Sequence, residues 1–388
     1  MICSPFHGCK LYPRQDINVN THTMGSSLPQ YLKIKVHQEV LRKRYDEIIV
    51  MGSYSRYSTS SIPFQGEKRD KPFNWERPSA RPSEDGKILY IECFPGYDHI
   101  EHYAEIISSY LRILESPGPN QRTGLTPSSR VSFIPSSCSD TLTALELDTN
   151  LLSFPGEGVD TVILGMTWHL SNLTAWPSVQ FEGNGPWQWI IRHYPSSNRR
   201  VAFLGFRPAF WGCISGEVIH LLSRQFPAIR EFIYIGKLGT LTPGIRPNHF
   251  LATGSHSLLN NRIISWENCL STSISQVAQE SVIVGKHVTL GSVLHETKEW
   301  YASHRRDGMD FDFVDPEIGN MAQAAVRSGR RYGYLHLITD NLGQKYDEDL
   351  SNERTESVLK GRKRLYEVIR DVMEFHLTRT DVEGKVVV

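Results

Sequence analysis

Between residues 158 and 378 the chain alternates short apolar runs with amphipathic stretches. "DTVILGM", "RVAFLGF", "EFIYIG", "NHFLAT", "SVIVGKHVTLGSVL" and "YGYLHLITD" are rich in β-branched and aromatic residues, the pattern of strands buried on both faces. "SGEVIHLLSRQF", "GNMAQAAVRSG" and "RTESVLKGRKRLYEVIRDVMEFHL" return apolar residues every three or four positions, as helices do. The alternation predicts a layered α-β-α domain over 158–378, an α/β fold around a central mixed sheet. In such sheets ligands bind beyond the carboxyl ends of strands, so the residues that follow each strand come first as site candidates.

Residues 1–150 have a different texture. Polar, proline-bearing stretches such as "GSYSRYSTSSIPFQGEKRDKPFNWERPSARPSEDG" separate two better-formed pieces. One is "DEIIVMGSY"; the other is "KILYIECF" followed by "YAEIISSYLRIL", whose spacing suits a helix. "GPNQRTGLTPSSRVSFIPSSCSD" reads as a linker or long surface loop. The expected organisation is an N-terminal extension without an assigned role, then the α/β domain.

Composition narrows the classes. Lys plus Arg and Asp plus Glu both number 42 in 388 residues, so no net field recruits nucleic acid or a membrane surface. The cysteines at 3, 9, 93, 138, 213 and 269 form no CxxC pair and no zinc-like spacing, and read as free thiols of a reducing compartment. "MICSPFHGCKLYPRQ" has no apolar core of a secretory signal, and no run approaches the roughly 18 apolar residues of a membrane span. The expectation is a cytoplasmic protein acting on a small molecule, without nucleic acid, membrane, metal or redox cofactor.

Three strand ends carry candidate chemistry. "EFIYI" runs into Gly236-Lys237-Leu238-Gly239, "HETKEWY" leads to "DFVDPEIGNMAQAA", and "YGYLHLI" ends in Thr339-Asp340-Asn341. Their order and spacing resemble the nucleoside phosphorylase and nucleosidase superfamily, which includes purine nucleoside phosphorylase, uridine phosphorylase and methylthioadenosine nucleosidase. The resemblance spans about 158 to 378, one domain. It implies a glycine-rich turn at Gly236–Gly239 that binds an anion. It implies that Glu317 accepts hydrogen bonds from ribose hydroxyls, with Pro316 where the family has methionine. Asp340 would protonate the leaving base, assisted by Arg354 of "SNERT", and Trp300 or Tyr301 would stack on the base. Homo-oligomers are usual in the family. Each residue also has a plain structural reading: Glu317 as a carboxylate at a helix start, Asp340 as a turn cap, and Trp300 and Tyr301 as core.

The family pattern also breaks. Tyr234 and Lys237 replace its arginine and its Ser or Thr, and Leu204-Gly205-Phe206-Arg207 replaces its "HGMG", adding Phe206 to the substrate candidates and Arg207 to the anion candidates. Its first phosphate loop has two candidates. "GSYSR" from Gly52 fits by letters, whereas "GMTWH" from Gly165 fits by spacing and offers His169; the spacing favours Gly165. Trp168, Trp176, Trp187, Trp189, Phe206, Phe210 and Trp211 make the region unusually aromatic, with more than half expected in core or interface. Three functions follow as expectations: cleavage or transfer of an N-glycosidic bond by phosphorolysis or hydrolysis; a repurposed enzyme of the same fold acting on a larger, apolar, diphosphate-bearing metabolite; or a non-catalytic nucleoside-binding protein.

Overall fold

The computed structural model describes residues 12–13, 17–54, 60–67, 69, 71–116, 121–122, 124–170, 180–306, 310–347 and 355–380. The N-terminal third builds a five-stranded sheet from β1 (Tyr12–Pro13), β2 (Glu47–Gly52), β3 (Ser79–Pro82), β4 (Ile88–Cys93) and β5 (Val131–Ile134), in the order β1-β5-β2-β4-β3. β2 runs parallel to β4 and β5; β1 and β3 close the edges antiparallel. Helices α1 (Leu28–Lys33) and α2 (Tyr97–Glu115) share its core through Leu32, Ile100, Ile107 and Leu111 against Val50 and Ile91. The stretch expected as a linker holds β5, because Val131 and Phe133 alternate into that core with Ser132 between them. Helix α3 (Cys138–Leu147) follows, opened by a capping box between Ser137 and Asp140.

The remaining chain forms an eleven-stranded mixed sheet with helices on both faces. Its elements are β6 (Thr161–Gly165), β7 (Trp187–Tyr194), β8 (Arg199–Phe206), α4 (Cys213–Gln225), β9 (Glu231–Thr240), β10 (Leu251–Thr253), β11 (His256–Leu259), β12 (Arg262–Ser265) and α5 (Ser271–Val277). They continue with β13 (Val282–Val284), β14 (His287–Thr289), α6 (Lys298–Arg306), β15 (Phe313–Asp315), α7 (Ile318–Arg327), β16 (Arg331–Asn341) and α8 (Glu356–Thr378). Strand alternation sorts the faces. Phe232, Tyr234, Tyr332 and Tyr334 pack with Ile219 of α4 and Met321 of α7, while Ile233, Ile235, Leu335 and Leu337 pack with Ile274 of α5 and Ile369 of α8. The three layers are those the sequence predicts.

One irregularity positions the site. β16 accompanies β9 along its whole length. On the other edge β6 pairs with Glu231–Ile235 and ends at Gly165, and β15 takes over only at Gly239 and Thr240. Gly236, Lys237 and Leu238 thus sit in a fork, with no described strand on that edge. The sequence reading of Gly236–Gly239 as a turn is corrected here: β9 continues through both glycines to Thr240. No helix among the described residues is long and apolar enough to cross a membrane.

Candidate active site

The fork opens into a cavity of about 920 Å³. Its walls bring together Gly165, His169, Phe206, Gly236, Lys237, Gly239, Glu317 and Asp340, residues spread over 175 positions of sequence (165 to 340). β6 ends at Gly165, where a φ of +92° and the Ile235 carbonyl oxygen in the space a Cβ would take admit only glycine. Gly165, Met166, Trp168 and His169 then line the cavity; Gly52 ends β2 in the other sheet and does not.

At the carboxyl end of β16 a bulge between Ile338 and Asp340 interrupts the register with β9. Asp340 Oδ1 accepts a hydrogen bond from Thr339 Oγ1 at 3.0 Å, and Asp340 Oδ2 lies 2.9 Å from where a Cβ on Gly239 would stand. The second glycine of the bracketed pair therefore clears space for a carboxylate.

β15 delivers the next group. Asp315 Oδ1 accepts from the backbone N–H groups of Glu317 and Ile318, both at 2.9 Å, which fixes the start of α7 and holds Glu317 at the cavity. His287 Nε2 lies 3.0 Å from the same oxygen, His336 Nδ1 lies 3.7 Å from Oδ2, and Ser257 Oγ sits 2.9 Å from His287 Nδ1. Burial alone would push Asp315 up, but His287, His336 and the Ile318 N–H hold it below its ordinary value. Glu317 goes the other way: burial, the Asp315 charge and a hydrogen bond to Asp315 push it well up. The two adjacent carboxyls are thus driven apart, Asp315 down and Glu317 up.

Glu296 was not singled out by sequence. It lines the cavity, is 4% exposed, and is pushed well up by burial, then by the charges of Asp340 and Asp315. The segment that carries it is strung between the two sheets. Trp211 Nε1 donates to the Gly291 carbonyl (2.8 Å), His102 Nδ1 meets Ser292 Oγ (2.8 Å), His22 Nε2 meets the Val293 carbonyl (3.0 Å), and Thr23 N–H donates to the Glu296 carbonyl (3.0 Å). Beside it, His295 Nε2 lies 2.6 Å from Glu105 Oε1 of α2. Burial disfavours the His295 charge, yet Glu105, Glu101 and Asp98 raise its pKa overall.

The N-terminal third also walls the cavity directly, through Tyr31, Lys35, Arg77, His99, His102 and Tyr103. His102 stacks on Trp211 at 4.2 Å with 20° between planes, and Lys35 Nζ donates to Tyr31 Oη at 2.6 Å. Across the cavity, His169 lies face to face with Tyr366 of α8 (3.6 Å, 12°); burial, then Lys237, Arg362 and Lys71, lower it to about 4.

Other expected residues lie elsewhere. Trp300 and Tyr301 sit behind the wall with Val288, Phe311 and Val314; Tyr301 Oη donates to the Leu241 carbonyl at 3.1 Å, and Trp300 packs on His304. Arg207 does not line the cavity and turns toward Glu76, at 4.0 Å. Among the aromatics, Trp168, Phe206, Phe210 and Trp211 line the cavity, whereas Trp187 and Trp189 are core. Arg354, its neighbour Glu353 and Trp176 lie outside the described residues.

Among the described residues one buried cluster has metal-ligand chemistry, Glu231, Cys269 and His376. Glu231 Oε1 is already taken by Arg199 (2.9 Å), Thr161 (3.0 Å) and His376 (3.1 Å), and Oε2 by Arg331 (2.9 Å), so the cluster is an ion-pair hub at the opposite end of β9.

Comparison with solved structures gives similar folds. A putative methylthioadenosine nucleosidase from Weissella paramesenteroides (12% identity, TM-score 0.45) and an S-adenosylhomocysteine nucleosidase from Streptococcus pyogenes (13%, 0.45) each align over 57% of this chain and 98% of their own. A uridine phosphorylase from Vibrio fischeri (10%, 0.43) aligns over 55% of this chain and 90% of its own. These are likenesses of fold. No family model matches the chain, and no curated protein sequence matches it.

Proposed function

We propose that this cavity cleaves the N-glycosidic bond of a nucleoside-like substrate. The observation that carries the reading is the convergence of Asp340, Glu317 and Glu296 on one cavity, with two of the three carboxyls pushed well above their ordinary pKa by burial and neighbouring charge. Carboxyls with raised pKa in an aromatic cavity suit donation to a departing base, and the charge of Asp315 suits the positive charge that develops on a sugar as the bond breaks. Glu317 would hold sugar hydroxyls. Asp340 would serve the base, with Glu296 beside it, and Phe206 and Phe210 would contact the apolar face of the ligand. Lys237 and His169, which also line the cavity, would meet an anion, either attacking phosphate or a group on the substrate.

Incubation of the full chain with a panel of purine ribonucleosides, with and without phosphate, tests the proposal by chromatography. Free base should accumulate. Base release that requires phosphate identifies phosphorolysis, and release without it hydrolysis; no base from any nucleoside removes the reading.

A second reading is favoured by the cavity's size. At about 920 Å³ it stands near the upper end of the roughly 300–1,000 Å³ typical of small-molecule sites, and helices and loops of the N-terminal third share its walls with the larger sheet. The same fold would then serve a larger, apolar, anionic metabolite.

A further inference from the structure

We propose that the lobe of the cavity between β6, β9 and α8 binds a substrate-borne polyanion of at least two phosphoryl groups. It rests on reading the cavity as the reaction site, and it names a class of substrate for it. Four groups from four separate segments line this lobe: Lys71, His169, Lys237 and Arg362. All three permanent cations lie close enough to His169 to act on its charge. A single phosphoryl group carries about 1.5–2 negative charges near pH 7, so three cations and a titratable imidazole match a longer anion better than one phosphate.

The lobe is also built rather than incidental. Arg362 is only 5% exposed, and Asn248 Oδ1 accepts its Nε–H at 2.8 Å, which presets the planar fork for bidentate contact. Tyr366, one turn further along α8, fixes the His169 ring by stacking. Glu296, Glu317 and Asp340 line the same cavity.

His169 adds a linked signature. At about 4 it is neutral at pH 7, and a polyanion beside it favours the imidazolium, so binding takes up protons.

Titration calorimetry of the full chain with inorganic diphosphate, inorganic phosphate, adenosine and adenosine 5′-diphosphate tests the lobe. Diphosphate should bind at least about tenfold more tightly than phosphate, and adenosine 5′-diphosphate more tightly than adenosine. Proton uptake should appear as a heat that varies with the buffer. Lys71→Ala should weaken diphosphate by about tenfold and adenosine by much less. Arg362→Lys keeps the charge of a buried position and should still weaken diphosphate several-fold by removing the fork, with unfolding temperature recorded as a check on the fold. Diphosphate no tighter than phosphate, or indifferent to Lys71→Ala, overturns the lobe. Adenosine 5′-diphosphate no tighter than adenosine overturns the claim that the substrate carries the anion. If diphosphate binds as expected but no nucleoside is cleaved, the polyanion lobe stands and the glycosidic reading falls.

Discussion

The carboxylate of Asp340 fills the space a side chain on Gly239 would need: its Oδ2 lies 2.9 Å from the ideal Cβ position, with Leu342 Cδ1 at 2.8 Å and Val314 Cγ1 at 3.3 Å. Gly239→Ala should therefore push Asp340 out of place while the sheet persists. Since misplacing a catalytic group by about 1 Å can cost roughly 10²-fold, kcat should fall by about 10–10²-fold with an unfolding temperature close to the parent's. Unchanged kcat in a folded Gly239→Ala protein would show that Asp340 has no positional demand.

Glu317 is pushed well above its ordinary value by burial and the Asp315 charge, so it holds its proton to higher pH than a free glutamate, whereas Asp315 is held below its ordinary value. Glu317→Gln preserves shape and neutrality and should retain most ligand binding at pH 7. Glu317→Ala should weaken ribonucleosides about tenfold more than their 2′-deoxy analogues, the loss of one hydrogen bond of roughly 1–1.5 kcal/mol. Equal weakening of both sugars would mean that Glu317 acts on α7 alone.

Glu296 offers a pH test with a definite sign. Its folded pKa is raised above the ordinary 4.5 by burial, Asp340 and Asp315, so the unfolded chain releases this proton first as pH rises. The carboxyl therefore costs no stability below its ordinary pKa and an increasing amount above it. Glu296→Gln should match the parent's unfolding temperature near pH 4 and exceed it by about 2–4 °C or more at pH 8. A shift of equal size at both pH values would contradict a protonated Glu296.

The clasp between His295 and Glu105 has the opposite chemistry and reaches Glu296 through the chain. The raised His295 pKa makes its stabilisation complete below about 6.5 and lost as pH rises through the folded value. Glu105→Gln should flatten the stability profile above about pH 6.5 and reduce kcat through the adjoining Glu296. An unaltered pH profile would show that the clasp is not titrating.

Much of this architecture was legible in the sequence. The alternating apolar runs foretold the three layers, and Gly165, which spacing favours over Gly52, lines the cavity. Lys237 was misplaced in kind. Two glycines beside a lysine look like a turn, but they sit within β9 because His336 and Asp340 occupy the space a Cβ would take. Trp300 and Tyr301 do not line the cavity, because a resemblance of motif order marks a place in the chain and not which side of a wall an aromatic faces. Glu296 lies in a short irregular segment without periodicity, and its burial depends on α2 and the N-terminal strand pairing, contacts that link positions as far apart as Thr23 and Glu296. The wall built by Lys35, Arg77 and His102 was invisible for the same reason.

The most direct measurement follows the C1′ proton of a purine ribonucleoside by NMR during incubation with the parent protein and with Asp340→Asn. The glycosidic resonance should give way to that of a free or phosphorylated sugar in the parent, and at least about 10²-fold more slowly in the variant. A C1′ resonance that persists while the nucleoside is bound, or that decays equally fast in both proteins, would contradict glycosidic cleavage by this cavity through Asp340.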